Sequence, residues 1–102
     1  MKKFKRYGRY YVYILECQDG TYYTGYTPDI KKRIELHNKG KGAKYTRGRR
    51  PVKLAWCKEY RQFKPAFKVE KIIKQLTRLQ KEALVKGRRL DKVLADARIK
   101  RR

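Results

Sequence analysis

The first third of the chain contains two short runs of apolar and aromatic residues separated by a polar turn, which predicts a β-hairpin. Residues 10–17 are rich in β-branched and aromatic side chains, the types that favour strands. Gln18-Asp19-Gly20 is a turn sequence, and residues 21–26 form the returning strand. Residues 1–9 contain few side chains that could be buried, so we expect a disordered basic arm there.

The length of the turn decides whether two tyrosines of the hairpin can act together. A two-residue turn at Asp19-Gly20 would place Tyr13 and Tyr23 on opposite faces of the sheet. A three-residue loop over residues 18–20, with a bulge at its glycine, pairs Tyr13 with Gly25 and brings both tyrosines to one face. We predict the three-residue loop, with the tyrosines as diagonal neighbours roughly 7–8 Å apart at Cα. Gly25 would then leave room beside Tyr13 for a backbone or a phosphate.

After the hairpin, the pattern predicts a helix, a basic loop and a third strand. Thr27 is the expected N-cap and Pro28 the first residue of a helix that ends near Asn38. Residues 39–51 are rich in glycine, proline and basic residues and are predicted to form a loop. Residues 52–60 alternate as a strand does. The faces of this strand are predicted to be Val52, Leu54 and Trp56 on one side and Lys53 and Cys57 on the other.

The last third of the chain is predicted to be helical. A second helix is expected over residues 65–76, and Thr77-Arg78-Leu79-Gln80 has the form of a capping box that starts a third helix, which stops at Gly87. Residues 88–102 form a basic C-terminal helix and tail after a core domain over residues 10–87. The order ββαβαα plus a C-terminal helix predicts an α+β fold, a small three-stranded antiparallel sheet flanked by helices.

The charge of the chain narrows the class of partner. Lysine and arginine number 31 against 9 acidic residues, for a formal net charge of +22 over 102 residues. Such a field attracts polyanions, so we expect contact with nucleic acid, either DNA or RNA. Cys17 and Cys57 have no metal-ligand spacing and are expected to pack in strands in a reduced compartment. Neither a membrane span nor a signal-peptide core is present, so we expect no membrane contact and a cytoplasmic protein.

Two residues of the first predicted helix are candidates for phosphate chemistry. Arg33 and His37 are four residues apart, so they share one helix face that borders the core. A guanidinium can fork onto a phosphate, and an imidazole can donate to a phosphate or move a proton. The alternatives are that Arg33 is a solvated charge and that His37, the only histidine, complements the helix dipole.

Glu70 is the candidate acid. It lies on the apolar stripe of the second predicted helix, four residues after Ala66 and three before Ile73. A partly buried carboxylate needs a partner, which here is a cation, either an arginine or a hard metal ion. Mg²⁺ prefers carboxylate oxygen and keeps several waters, so one carboxylate plus substrate phosphates is a sufficient set of ligands. The alternative is a structural ion pair between Glu70 and Arg33.

Two motifs in the hairpin complete this set of residues. Tyr11-Val12-Tyr13 and Tyr23-Thr24-Gly25, followed by Arg33 and His37 on the next helix, resemble the core of the GIY-YIG nuclease superfamily. The chain is most similar to the small single-domain members of the UPF0213 type, from about residue 10 to residue 87. It departs from the family pattern at Tyr11 (family glycine), at Val12 and Thr24 (family isoleucines) and at Tyr26, where some members have lysine. The late asparagine of some members has no clear counterpart.

The resemblance implies a metal-dependent endonuclease that hydrolyses phosphodiester bonds. Glu70 would hold Mg²⁺ (or Mn²⁺), and Tyr13, with Tyr23, would take the proton from the attacking water. Arg33 would stabilise the developing negative charge, and His37 would contact the phosphate or assist Tyr13. A tyrosine that acts as a base needs a pKa well below its usual ~10.

The basic loop is the expected contact for the nucleic-acid backbone, with one aromatic ring that can stack on an unpaired base. The residues concerned are Lys39, Lys41, Lys44, Tyr45, Arg47, Arg49 and Arg50. One small domain has little surface for reading a long sequence, so we expect a DNA endonuclease directed by branched or damaged structure, a monomer or weak dimer. A protein partner for targeting is left open. Two other functions also stay open: a nucleic-acid-binding module of this fold with little or no cleavage, and a basic ribosome-associated or RNA-binding protein.

Overall fold

The structure is a computed structural model that describes the backbone of residues 7–100 and the side chains of residues 8–97. The elements in chain order are β1 (Tyr7–Glu16), β2 (Tyr22–Thr27), α1 (Ile30–Asn38), α2 (Lys44–Arg47), β3 (Lys53–Gln62), α3 (Phe63–Lys74), α4 (Arg78–Val85) and α5 (Leu90–Lys100). The three strands form one antiparallel sheet in the order β2-β1-β3, which confirms the predicted α+β class. Residues 1–6 of the predicted arm and 101–102 of the predicted tail lie outside the described residues.

The hairpin between β1 and β2 has the three-residue loop that the sequence predicts. The Cys17 N–H donates to the Thr21 carbonyl at 2.8 Å, and the Gly20 N–H donates to the Cys17 carbonyl at 2.9 Å. Gly20 has a φ of +82°, the left-handed conformation that the bulge requires and that glycine adopts without strain. The resulting register pairs Tyr13 with Gly25, as predicted.

The sheet is covered on both faces, and each face has its own apolar cluster. One cluster joins the sheet to α3, α4 and α5, and its buried members are Tyr10, Val12, Ile14, Ala66, Ile73, Leu76, Leu84, Val93 and Ala97. The other lies under α1, and its buried members are Tyr13, Leu15, Cys17 and Val52. Because β2 is an edge strand, side chains of α1 on one face and of α3 on the other can reach the same cleft beside it. In the part of the chain that is described, no helix combines the length and apolarity needed to cross a membrane.

The start of α1 differs from the prediction. Thr27 is not the N-cap but the last residue of β2, where it pairs with Tyr11. The N-cap is Asp29, whose carboxylate accepts from the Lys32 N–H at 3.1 Å. The Thr27 hydroxyl instead accepts from the Asp29 N–H at 3.2 Å. Thr27 thus belongs to β2, although its capping preference alone places it at the start of the helix, and α1 begins at Ile30.

The faces of β3 also differ from the prediction. Leu54 pairs with Leu15, but Trp56 pairs with Ile14, so Ala55 is an extra residue in β3 and forms a bulge. The bulge reverses the alternation, and Trp56 packs with the helical cluster while Leu54 stays on the opposite face, 42% exposed. The predicted single face of Val52, Leu54 and Trp56 is therefore wrong.

The bounds of β1, β3 and α3 also differ from the prediction, and α3 covers Phe63–Lys74 rather than residues 65–76. β3 runs on to Gln62, and this gives Tyr7 a partner, so β1 begins three residues before its predicted start. The predicted loop over residues 39–51 contains the short helix α2. The capping box at Thr77 is confirmed, and Gly87, with a φ of +104°, follows the end of α4 as expected.

One buried hydroxyl in β2 allows a test of the packing. Thr24 is 3% exposed, and its Oγ1 has no hydrogen-bond partner among the described residues. Thr24→Val should raise the free energy of unfolding by about 1 kcal/mol, because an unpaired hydroxyl is replaced by a methyl group. Thr27→Val is the matched control, since Thr27 is also buried in the same strand, at 6% exposed, but its hydroxyl is bonded to Asp29. Chemical denaturation should show the opposite sign for the control, and equal destabilisation by both substitutions would contradict the prediction.

Candidate active site

Four of the five candidate catalytic residues line one open cleft at the β2 edge of the sheet. The cleft has a volume of about 490 Å³, and Tyr13, Tyr23, Arg33 and Glu70 all contribute to its wall. The fifth, His37, is fully buried beside the two tyrosines. The hairpin, α1 and α3 thus bring together side chains that are up to 57 positions apart in the sequence.

The two tyrosines lie on the same face of the hairpin, with ring centroids 6.5 Å apart. Tyr13 is 1% exposed, and its ring lies over Gly25: a Cβ built at Gly25 would be 2.5 Å from the Tyr13 hydroxyl oxygen. The ring of Tyr13 thus occupies the place of a Gly25 side chain, while Gly25 still lines the open cleft, and the approach of a backbone or a phosphate there stays a prediction. The absent side chain lets the Tyr13 hydroxyl reach the edge of the sheet.

His37 is bonded at both ring nitrogens inside the protein. Its Nε2 is 3.0 Å from the Tyr13 hydroxyl, and its Nδ1 is 2.8 Å from Oγ1 of Thr46 in α2. Thr46 Oγ1 is also 3.1 Å from the Ala43 carbonyl, which can only accept. If the one hydrogen of the hydroxyl goes to that carbonyl, Thr46 accepts from His37 Nδ1–H, and the free lone pair on Nε2 accepts from Tyr13.

The environment shifts the two proton affinities in opposite directions. Burial raises the pKa of Tyr13 to about 12, against the opposing effect of the Arg33 guanidinium. Burial, and then the charge of Arg33, lower the pKa of His37 to about 4. Tyr13 is therefore protonated and His37 neutral at pH 7. The expected low tyrosine pKa is wrong for the protein by itself.

Arg33 is half-buried at the cleft wall, where the loop between α1 and α2 fixes it. Its Nη2 donates to the Gly42 carbonyl at 3.1 Å. Gly42 also packs against His37 so closely that a Cβ there would clash with the Nδ1 and Cγ atoms of the ring. The segment over residues 42–46 thus contacts both candidate residues of α1.

Glu70 has the cationic partner that its position demands, but the partner is not the arginine considered from the sequence. Its side chain is 6% exposed and forms an ion pair with Lys74 Nζ at 2.9 Å. This hydrogen bond to Glu70 raises the pKa of Lys74. Lys74 is one helical turn after Glu70 on α3, and its side chain is 50% exposed. The sequence contained a signal for this pair, because Lys74 follows Glu70 at the i,i+4 spacing that places two helical side chains side by side.

The structure divides the basic residues of the loop into two groups. Arg49 pairs with Asp19 at 3.0 Å and donates to the Tyr45 carbonyl, and Arg50 donates to the Arg47 carbonyl. The other four have exposed side chains, with no side-chain hydrogen bond or ion pair among the described residues: Lys39, Lys41, Lys44 and Arg47.

Tyr45 is not a free stacking platform. Its ring stacks on Tyr23 with centroids 5.9 Å apart, and Arg49 Cζ lies 4.0 Å from its centroid. The ring is 39% exposed and links the loop to the cleft. A base could stack on it only by replacing one of these neighbours.

Comparison with known proteins agrees with the resemblance. A family model described as the GIY-YIG catalytic domain matches residues 9–83. A UPF0213 protein of Halobacterium salinarum is 55% identical over 75 residues, which cover 74% of this chain and 97% of that relative. Another from Streptococcus agalactiae serotype V is 51% identical over 76 residues, which cover 74% of this chain and 86% of that relative.

Two solved structures share the fold. The solution NMR structure of the UPF0213 protein BH0048 from Bacillus halodurans has a TM-score of 0.52 at 45% identity, over 85% of this chain and 93% of that chain. The solution NMR structure of the protein EF2693 from E. faecalis has a TM-score of 0.54 at 41% identity, over 84% of this chain and 88% of that chain.

The protonation of His37 can be tested by NMR. We expect its ring resonances to stay constant between about pH 8 and pH 5 and to move only near pH 4, because burial and Arg33 oppose the charged form. The folded-state pKa is below the ordinary 6.5, so the unfolded chain binds more protons in this window. His37 therefore lowers the free energy of unfolding as the pH falls from about 6.5 to about 4. A titration midpoint near 6.5 in the folded protein would contradict this.

Proposed function

The chain belongs to the GIY-YIG catalytic domain family, and from this premise we propose that it is a metal-dependent DNA endonuclease that hydrolyses phosphodiester bonds. The observation that supports the proposal most is the single cleft in which Tyr13, Tyr23, Arg33 and Glu70 meet above the buried His37. A structural role alone does not require two tyrosines, an arginine and a buried acid to share one opening.

The charge of the protein supports a polyanionic substrate. A net charge of +22 increases the encounter rate with nucleic acid, and the exposed lysines and arginine of the loop can contact phosphates. These contacts position a backbone but do not read bases. We therefore propose that DNA structure, such as a branch or a damaged site, directs cleavage.

Glu70 is the residue that would hold a divalent metal ion. Among the described residues no three acids, histidines or cysteines are close enough to form a metal cage, so the fit is to a single carboxylate with water and substrate phosphates as the other ligands. The carboxylate lines the cleft and already binds one cation, the Lys74 ammonium. Mg²⁺ or Mn²⁺ bound there would neutralise phosphate charge. Lys74 is half-exposed on a flexible side chain, so it can leave Glu70 when the metal binds.

The proton path follows from the pKa values. With a pKa of about 12, Tyr13 is protonated at neutral pH and is not a free phenolate base, but it can relay a proton. The attacking water gives a proton to Tyr13 Oη while Tyr13 passes its own proton to His37 Nε2. The water oxygen forms a bond to phosphorus as the bond from phosphorus to the leaving sugar oxygen breaks, and that oxygen takes a proton from solvent at the open cleft. Arg33 lowers the pKa of His37, and a bound phosphate would offset that charge and make His37 a better acceptor.

Arg33 and Tyr23 complete the proposed site. Arg33 is fixed at the cleft wall by Gly42 and can stabilise the negative charge that builds on the phosphate. Tyr23 contacts the rings of both Tyr13 and His37, so it restricts their movement.

The cleavage assay is the direct test. Labelled flap, splayed and nicked duplex DNA should be cut in the presence of Mg²⁺ or Mn²⁺, and Tyr13→Phe and Glu70→Gln should each reduce the rate by about 10²-fold or more while DNA binding persists. Tyr11→Phe removes a hydroxyl from the same strand. Glu82→Gln breaks the ion pair with Lys86, which has the same 2.9 Å distance and i,i+4 spacing as the pair in α3. Both controls should cut at the wild-type rate.

A second function, nucleic-acid binding without turnover, is favoured by one observation. In the structure the cation at Glu70 is a lysine of the same helix. Tight binding of DNA with no cleavage of any substrate in either metal would support this function and contradict the endonuclease. Cleavage that persists in Glu70→Gln would contradict the role of the carboxylate.

The division of the basic loop predicts a salt dependence. Lys41→Gln and Lys44→Gln should each weaken DNA binding for all sequences and reduce the slope of log Kobs against log salt by about 1, because each removes one phosphate contact. Lys58→Gln removes an exposed charge on β3, the opposite edge of the sheet, and should change the slope much less. Equal changes in all three variants would show that only the overall charge matters.

A further inference from the structure

The short helix α2 presents one side chain to the interior. Thr46 is fully buried, and its hydroxyl oxygen lies within hydrogen-bond distance of two groups, His37 Nδ1 at 2.8 Å and the Ala43 carbonyl at 3.1 Å. A threonine in a basic surface loop would ordinarily be solvated, so its complete burial on the histidine needs an explanation.

We propose that Thr46 is a positioning residue that fixes the tautomer of His37 and thereby makes Tyr13 a donor to His37. The catalytic meaning of this proposal rests on the proposed endonuclease, but the tautomer itself does not. Neither Thr46 nor Ala43 lies in the cleft wall, so the effect is exerted through His37.

The tautomer of His37 depends on which of its two partners, Tyr13 or Thr46, is restricted to one role in the hydrogen bond. A tyrosine hydroxyl can donate to an imidazole nitrogen or accept from it, so Tyr13 does not select a tautomer. The Ala43 carbonyl, 3.1 Å from Thr46 Oγ1, can only accept, and we assign the single hydrogen of the Thr46 hydroxyl to it. With this assignment Thr46 accepts from His37, and the ring proton is held on Nδ1. The tautomer of His37 is therefore set by Thr46 and Ala43, the end of this series of hydrogen bonds that is farthest from the cleft.

The packing of the loop leaves no simple substitute for this hydroxyl. Gly42 lies against the Nδ1 side of the ring, where even a Cβ would clash. His37 and Thr46 are both 0% exposed, so a water molecule would have to open the loop to replace the hydroxyl. The same loop fixes Arg33 through the Gly42 carbonyl, which ties the two candidate residues of α1 to one segment.

The tautomer determines the direction in which Tyr13 can move a proton. With the proton on Nδ1, Nε2 accepts from Tyr13, and the oxygen of Tyr13 keeps lone pairs to take a proton from water. With the proton on Nε2, the ring would donate to Tyr13 and could not accept a second proton there. A histidine held in the wrong tautomer costs a well-studied hydrolase triad about 10⁴-fold in kcat.

Because the chain has one histidine, ¹⁵N-histidine labelling reports on His37 alone. The wild-type ring should show a protonated Nδ1 and an unprotonated Nε2. Thr46→Val keeps the shape of the side chain without the hydroxyl and should shift the proton toward Nε2. Thr46→Ser restores the hydroxyl and should restore the wild-type spectrum. For Thr46→Val, the kcat of cleavage should fall at least 10-fold while the KM for DNA changes little. The kcat should recover in Thr46→Ser.

A wild-type ring protonated on Nε2 would overturn the proposal even if Thr46→Val fails to fold. A Thr46→Val ring that stays protonated on Nδ1 would also overturn it, as would a shifted tautomer with unchanged kcat. These outcomes are distinct from failure of the proposed function. If the wild type cleaves no DNA, the endonuclease is wrong, whereas the spectra of the three proteins still decide whether Thr46 fixes the tautomer.

Discussion

The buried hydrogen bond between Tyr13 and His37 is the contact on which the site depends. It joins the central strand to the first helix across 24 positions of sequence, and its extension to Thr46 attaches the basic loop to the same core. Tyr13 is 1% exposed and His37 0% exposed, so the bond lies in surroundings of low dielectric constant, where it is stronger than it would be in water. Its formation requires the hairpin register, the absence of a side chain at Gly25 and the close approach of Gly42, which explains why these features occur together.

The second constraint is a negative charge in a positive protein. Glu70 is the buried acid among the described residues, and in the folded chain it is neutralised locally by Lys74 rather than by any of the surrounding surface charge. A buried carboxylate without a counterion would be costly, so one cation or another must accompany it. The same pairing holds the carboxylate at the cleft, where the proposed chemistry needs it.

The sequence was sufficient where short-range rules decide the structure. Gly20 selects the hairpin loop, and the loop sets the register of Tyr13 and Tyr23, so this half of the site was predictable. The bulge at Ala55 was not, because nothing in the alternation of β3 marks the extra residue. Thr46 was also missed as a site residue, since its role depends on a contact nine positions away in a loop whose composition suggests only solvated charge.

The hairpin register has a consequence for changes in chain length. Side chains alternate between faces, so as long as the loop keeps three residues the two tyrosines share a face only while the number of residues between them keeps its parity. An insertion or deletion of two residues in this hairpin would lengthen or shorten the ladder by one pair and keep both hydroxyls at the cleft. A change of one residue would turn one tyrosine into the helical cluster on the other face unless a new bulge or a loop of another length absorbed it. Natural and engineered variation that keeps the three-residue loop should therefore occur in even steps.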